Sequence, residues 1–245
     1  MNQALSIQST IQTLREQLKE TFNENVVAHD MAHLDRVLDN AFDICIAERA
    51  ADKLVVGIAA LLHDFHRVLE RNAGHYVAPE EAEPQLRRML ETLACVSASD
   101  IDRICEAINF TEYYRCAGDD IDAIAPALEA RIVRDADMLD ALGAVGIARA
   151  FMFGGHLGEP MWVETGEDAL GKAFVHGKTS SVVHHFHEKL FRLEAEMLTA
   201  RGKALARERT AYMRRFVDQL MTELRPAPRA PSPLAQPVSS GVVSV

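Results

Sequence analysis

Histidine and aspartate stand side by side at His63 and Asp64, directly after the apolar run GIAALL at 57–62. At the buried end of a helix such a pair is costly, because an ionised carboxylate taken out of water needs a paired charge or a metal ion. Two other segments could supply the partner. In AHDMAHLDRV, His29 and His33 are four residues apart and Arg36 lies one turn beyond, so the three can share a helical face. In IVRDADMLDALGA the acids are Asp135, Asp137 and Asp140. Asp135 and Asp137, two apart, point to nearly opposite sides of a helix and are not expected to reach one ion together. Asp137 shares its side with Val133, Ala141 and Ala144, a small and buried face, and is the expected ligand. Asp135 follows Arg131 by four residues, where a surface ion pair accounts for it. A lone buried His-Asp pair is often a satisfied structural pair, but three such segments in one chain favour a bound cation. A fourth segment, SVVHHFHEKL, is a weaker source of metal-competent side chains.

The elements that must position these groups read as helices throughout, with no alternating β-branched run. Ile7, Ile11, Leu14, Leu18 and Phe22 form one stripe, which predicts an amphipathic helix over 5–22. Further helices are expected over about 31–49, 52–66, 79–92 and 100–110, the last capped by Ser97 or Ser99. CAGDDIDAIAP reads as a loop, and a long helix from about Ala127 to Phe151 is expected to bend near Gly143 or Gly146. FGGHLGEPMWVETGED reads as a Gly- and Pro-containing connection, a plain turn or a lid. Two helices then follow, separated around Arg201 and Gly202. This predicts an all-α helical bundle over 1–224, with its core at about 24–155 and C-terminal helices at about 179–224. The Pro- and Ser-rich stretch 225–245 is expected to be disordered.

Composition excludes several classes. The chain of 245 residues is 48% hydrophobic, enough to bury a sizeable core. Its formal net charge of -10 argues against a nucleic-acid polymer or an anionic membrane as partner, while local lysines and arginines leave room for a small phosphorylated ligand. The four cysteines, Cys45, Cys95, Cys105 and Cys116, show neither zinc-site nor disulfide spacing and read as reduced thiols. Without a signal-like N-terminus or a membrane-length apolar run, the expected location is cytoplasmic.

The order His, His-Asp, Asp on successive helices resembles the HD-domain superfamily of metal-dependent phosphohydrolases. HDMAHLDRV at 29–37, LLHD at 61–64 and DADMLDALGA at 135–144 are similar to a bacterial subgroup that includes nucleotide pyrophosphohydrolases. The resemblance extends from about Ala28 to Met213 and includes GIARAF and HHFHEKL. It implies an HD-type bundle with extra C-terminal helices, in which His33, His63, Asp64 and Asp137 hold one divalent ion such as Mn²⁺ or Mg²⁺.

That ion would serve hydrolysis of a phosphoester or phosphoanhydride bond in a small phosphorylated substrate, with a nucleotide the expected one. His29 and Asp135, close to the ligands in sequence, are candidate supporting or proton-transfer groups. Arg36, Lys189 and His185 are the leading substrate-binding candidates, with Arg67, Arg149 and Lys178 as further cations. Phe110, Tyr113 and Tyr114 could stack on a base or simply pack in the core. His184 and His187 read as surface or partly buried residues. The subgroup usually carries a further acid after its His-Asp pair, whereas this chain reads HDFHRV, so substrate specificity is expected to differ. No histidine occurs between His75 and Asp137, which disfavours a di-iron oxygenase on the same scaffold. A non-catalytic metal-binding regulatory module is the other alternative, and a homodimer is left open.

Overall fold

A computed structural model describes residues 2–22, 29–112, 125–164 and 179–224. The tail at 225–245, most of the loop expected at 116–126, and the candidates Tyr113, Tyr114, Lys178 and Cys116 lie outside the described residues. Among the described residues the structure is helical with no strand. In chain order the helices are α1 (Asn2–Phe22), α2 (Met31–Ala47), α3 (Lys53–Leu62), α4 (Phe65–Ala73), α5 (Pro79–Leu90), α6 (Ala98–Thr111), α7 (Leu128–Asp140), α8 (Gly143–Leu157), α9 (Val182–Glu188), α10 (Leu193–Glu196) and α11 (Ala200–Leu224), with a 3₁₀ turn at Leu190–Arg192 before α10.

α7 lies at the centre, packed by α2, α3, α6 and α11. α3 is apolar around its circumference, and every residue from Val55 to Leu62 is buried. Such a helix is stable only when surrounded, and α1, α2, α6 and α7 surround it. Ile11, Leu14, Leu18 and Phe22, the expected stripe of α1, are buried as that packing requires.

Four boundaries depart from the sequence expectation, and two of them shape the site. The helix expected over 52–66 ends at Leu62, the chain turns at His63–Asp64, and α4 begins at Phe65. His63 closes α3 by donating its Nδ1 proton to the Ala60 carbonyl at 2.8 Å, which satisfies an end-of-helix acceptor. The bend expected near Gly143 or Gly146 falls at Ala141–Leu142, where α7 and α8 meet at 67°. Gly143 adopts φ +74 there, a conformation that a side chain would strain. The C-terminal break lies at Met197–Thr199 rather than at Arg201–Gly202, which belong to the first turn of α11. Gly154 and Gly155, expected in a connection, are the last turn of α8. The chain after them is tied to α9, with Val182 N–H donating to the Pro160 carbonyl at 3.0 Å and Val183 N–H to that of Met161 at 3.1 Å.

Candidate metal centre

Three helix ends converge. α2 starts at an Asp30 cap whose carboxylate accepts from His33 N–H at 2.8 Å, so His33 stands in the first turn, fully buried. The α3–α4 turn presents His63 and Asp64, and the last turn of α7 presents Asp137 and Asp140.

His33 Nε2 lies 3.2 Å from His63 Nε2, 3.1 Å from Asp64 Oδ2 and 3.5 Å from Asp137 Oδ1. His63 Nε2 lies 3.4 Å from Asp64 Oδ2 and 3.6 Å from Asp137 Oδ1. Donor atoms bound about 2.1 Å from a common divalent ion sit about 3.0–3.4 Å from one another in octahedral or tetrahedral arrangement. The separations among His33, His63 and Asp64 fall within that range and those to Asp137 lie 0.1–0.2 Å above it, and two imidazoles with two carboxylates are a suitable donor set. Each imidazole is also oriented from behind, His63 by the Ala60 carbonyl and His33 through Nδ1 by Asp140 Oδ2 at 2.7 Å. This leaves both Nε2 atoms facing inward.

Among the described residues, the groups able to hold an ion are His29, His33, Asp64 and His33, His63, Asp137. Both use His33, whose Nδ1 is engaged by Asp140, so its single Nε2 is common to the two. His29 Nδ1 donates to Asp64 Oδ2 at 2.6 Å from the partly exposed side of the cluster.

The electrostatics of these side chains favour charged imidazoles beside ionised carboxylates. Burial pushes the His63 imidazole towards its neutral form, but Asp64 and Asp137 outweigh it and raise its pKa to about 9. Burial likewise opposes the charge on His33, yet Asp140 and Asp64 hold its pKa above the ordinary value. Burial would raise the two carboxylates. His29 and His63 nevertheless keep Asp64 well below its usual range, and His63 with His33 brings Asp137 to about 2.

The cluster opens on a cavity of about 350 Å³ lined by His29, Asp137, Arg67, Arg149, His185 and Lys189. Met138, Ala150, Phe153, Leu157, Val182 and Leu190 give it an apolar wall. Lys189 and His185, both expected near substrate, therefore share one cavity with Asp137. Lys189 is held below its ordinary pKa first by burial and then by Arg67 and Arg149, against the pull of Asp137 and Glu112. His185 falls to about 4 through burial and the nearby Lys189.

Two expected site residues are elsewhere. Arg36 does not line the cavity; its Nε and Nη2 donate to Asp140 at 2.7 and 3.0 Å, so its guanidinium is engaged behind His33 rather than offered to a phosphate. Asp135 is neither at the metal cluster nor in a surface ion pair. It is fully buried and accepts from Leu198 N–H, Thr199 N–H and the Thr199 hydroxyl, on the side of α7 away from Asp137. Of the late histidines, His184 is fully buried and stacks on Trp162 at 5.0 Å, while His187 packs edge-on against Phe191.

Sequence reasoning gave no role to Asp140, although its place three residues after Asp137 puts both on one helical face. Nor did it give a role to Glu112, which caps the end of α6 and holds His66 at 3.1 Å, Tyr76 at 3.0 Å and Arg67. No local signal marks that residue.

No protein-family model matches the chain. The uncharacterised protein YpgQ of Bacillus subtilis is 31% identical over 216 residues, 86% of this chain and 92% of YpgQ. The crystal structure of YpgQ in complex with ADP superposes with a TM-score of 0.65 at 29% identity, covering 89% of this chain and 96% of that one. A Lactobacillus plantarum protein gives 0.68 at 30% identity, covering 88% and 97%. A Bacillus thuringiensis HD-superfamily hydrolase gives 0.62 at 26% identity, covering 89% and 98%. With these relatives and this helical bundle, the chain belongs to the HD-domain superfamily of metal-dependent phosphohydrolases.

Proposed function

We propose that the protein hydrolyses a phosphoanhydride or phosphoester bond of a nucleotide, using Mn²⁺ or Mg²⁺ held by His33, His63, Asp64 and Asp137. The observation that carries this reading is the single cavity in which Asp137 shares walls with Arg67, Arg149 and Lys189 on one hand and an apolar surface on the other. A phosphate chain needs the cations and a nucleobase or ribose needs the apolar wall. The ADP bound to the related YpgQ supports the same substrate class.

When bound, the divalent ion would polarise a phosphoryl oxygen and lower the pKa of its water. The chain's own residues do the rest. Lys189 and Arg149 set positive charge where phosphoryl oxygens must rest, and Arg67 adds to it while anchored by Glu70 and Glu112. His29, fixed by Asp64 through Nδ1, leaves Nε2 to give or take a proton at the cavity. Phe153 and Leu157 offer apolar surface to the remainder of the substrate.

Purified protein incubated with Mn²⁺ and each nucleoside mono-, di- and triphosphate tests the proposal, with phosphate and pyrophosphate quantified separately. Release is expected from at least one class, abolished by EDTA and by Asp137→Ala. No release from any of them would overturn the reading.

A further inference from the structure

We propose that Asp140 is a positioning residue that couples the metal centre to the phosphate-holding wall, by anchoring the His33 imidazole and the Arg149 guanidinium on one carboxylate. The inference rests on the function proposed above and adds a residue and a linkage to it.

Asp140 ends α7, its side chain is only 2% exposed, and it is not among the cavity-lining residues. It therefore acts through others. Its Oδ2 accepts from His33 Nδ1 at 2.7 Å, from Arg149 Nη1 at 2.8 Å and from Arg36 Nη2 at 3.0 Å, while Oδ1 accepts from Arg36 Nε at 2.7 Å. An ionised carboxylate offers about four lone-pair sites, and four donors converge on this one, three of them on Oδ2. The partners come from three directions. His33 belongs to α2 and faces the metal cluster, and Arg149 belongs to α8 and faces the cavity. Arg36 reaches in from the more exposed surface of α2 and balances the buried charge.

Two consequences follow from this sharing. By accepting from Nδ1, Asp140 fixes the His33 tautomer whose Nε2 lone pair faces His63, Asp64 and Asp137, and a misplaced ring would loosen the ion. By holding Arg149 Nη1 it aims the guanidinium across the 67° bend between α7 and α8 into the space beside Asp137. A shift of Asp140 moves the ion position and the phosphate contact together. Arg36, expected to touch phosphate itself, thus serves the site at one remove, as counter-charge to the shared anchor.

Asparagine at 140 keeps the shape but replaces one acceptor oxygen by an NH₂ that faces other donors. Asp140→Asn is therefore expected to weaken Mn²⁺ binding in calorimetry about 10–100-fold and to raise KM for the nucleotide. Arg149→Ala should raise KM while leaving Mn²⁺ affinity as in the wild type. In the double variant, the rise in KM should fall short of the product of the single effects, because the two residues act as one unit. Asp140→Glu, which keeps the charge but lengthens the arm, guards against a fold-level explanation; with wild-type circular dichroism it should still show weakened Mn²⁺ binding.

Folded Asp140→Asn and Asp140→Glu with wild-type Mn²⁺ affinity and wild-type KM would overturn the proposal. Fully multiplicative KM effects in the double variant would overturn the coupling. Wild-type protein that bound no Mn²⁺ would be a different failure, overturning the proposed function and this inference with it.

Discussion

Two imidazole nitrogens 3.2 Å apart, each within 3.6 Å of two carboxylate oxygens, cannot all present lone pairs to one another. Something positive must stand among them. In the ion-free chain it is a proton, most firmly on His63, whose pKa is raised to about 9. An incoming cation must displace that proton, and the sign follows: below pH 9 the proton competes, so apparent affinity rises with pH. Mn²⁺ titrations at pH 6, 7 and 8 should show the dissociation constant falling about tenfold per unit for each proton displaced, with proton release detected in buffers of different ionisation enthalpy. A dissociation constant flat across that range would refute the account. Of the four candidate ligands, helix periodicity sorts Asp137 from Asp135 and an adjacent His-Asp after an apolar run demands a partner, while His33 was singled out over His29 only by the resemblance to the HD-domain superfamily. Asp140 was not legible in the sequence, since its role depends on α2 and α8 meeting it from outside its own helix. The placement of Arg36 failed for the same reason: spacing puts it near His33 but does not say which acid it will face.

Among the elements, the C-terminal helix is held to the central one by a buried junction. Asp135 on α7 accepts from Leu198 N–H at 2.9 Å and Thr199 N–H at 2.8 Å, just before α11, acting as a cap borrowed from another helix. Beside it, fully buried Arg134 donates to the Glu196 carbonyl at 2.8 Å and pairs with the Glu196 carboxylate at 3.0 Å. Gly202 is required here, because a Cβ would run into Asp135 and Thr199. Asp135→Ala strands buried N–H groups and should destabilise the protein by about 2–4 kcal/mol in urea denaturation, with Mn²⁺ affinity unchanged. Asp135→Asn retains one acceptor oxygen and sheds a charge whose burial already raises its pKa, so it should cost less. Reduced Mn²⁺ affinity in folded Asp135→Asn would restore this residue to the metal site. Helix existence and faces were largely legible, from the α1 stripe to the Ser97 cap of α6. The breaks were less so. Apolar periodicity runs unbroken through His63–Asp64, and the turn there is imposed by the tertiary contacts of those two side chains. Met197–Thr199 contains no Gly or Pro, and its end-of-helix N–H groups are met by a carboxylate more than 60 residues away.

Taken as a molecule, the protein draws its helices together by two means. Leu34, Ile58, Leu61, Ile132, Val133 and Leu139 are fully buried in one continuous apolar core, so removal of the ion should leave the chain folded, unlike a small domain built around its metal. The ion would still tie α2, the α3–α4 turn and α7 at a single point. At free Mn²⁺ about 100 times its dissociation constant, that tie contributes about 2.7 kcal/mol, which in a chain of this size shifts Tm by about 5–10 °C. Far-UV circular dichroism at 25 °C should therefore be the same with Mn²⁺ or EDTA while the melting curves separate. The separation should also depend on pH. His63 has a raised pKa, so its contribution to the ion-free state is complete below the unfolded value of 6.5 and is lost as pH rises through about 9. Asp137, with its pKa lowered to about 2, contributes above 3.8 and matters only in acid. Between pH 6.5 and 9 the EDTA-treated protein thus loses the proton that held its carboxylates together, while the loaded protein keeps its cation. The Tm gap should widen with pH across that window and vanish in Asp137→Ala; a gap that narrowed, or that persisted in the variant, would mean that the ion stabilises the chain somewhere other than at these three helix ends.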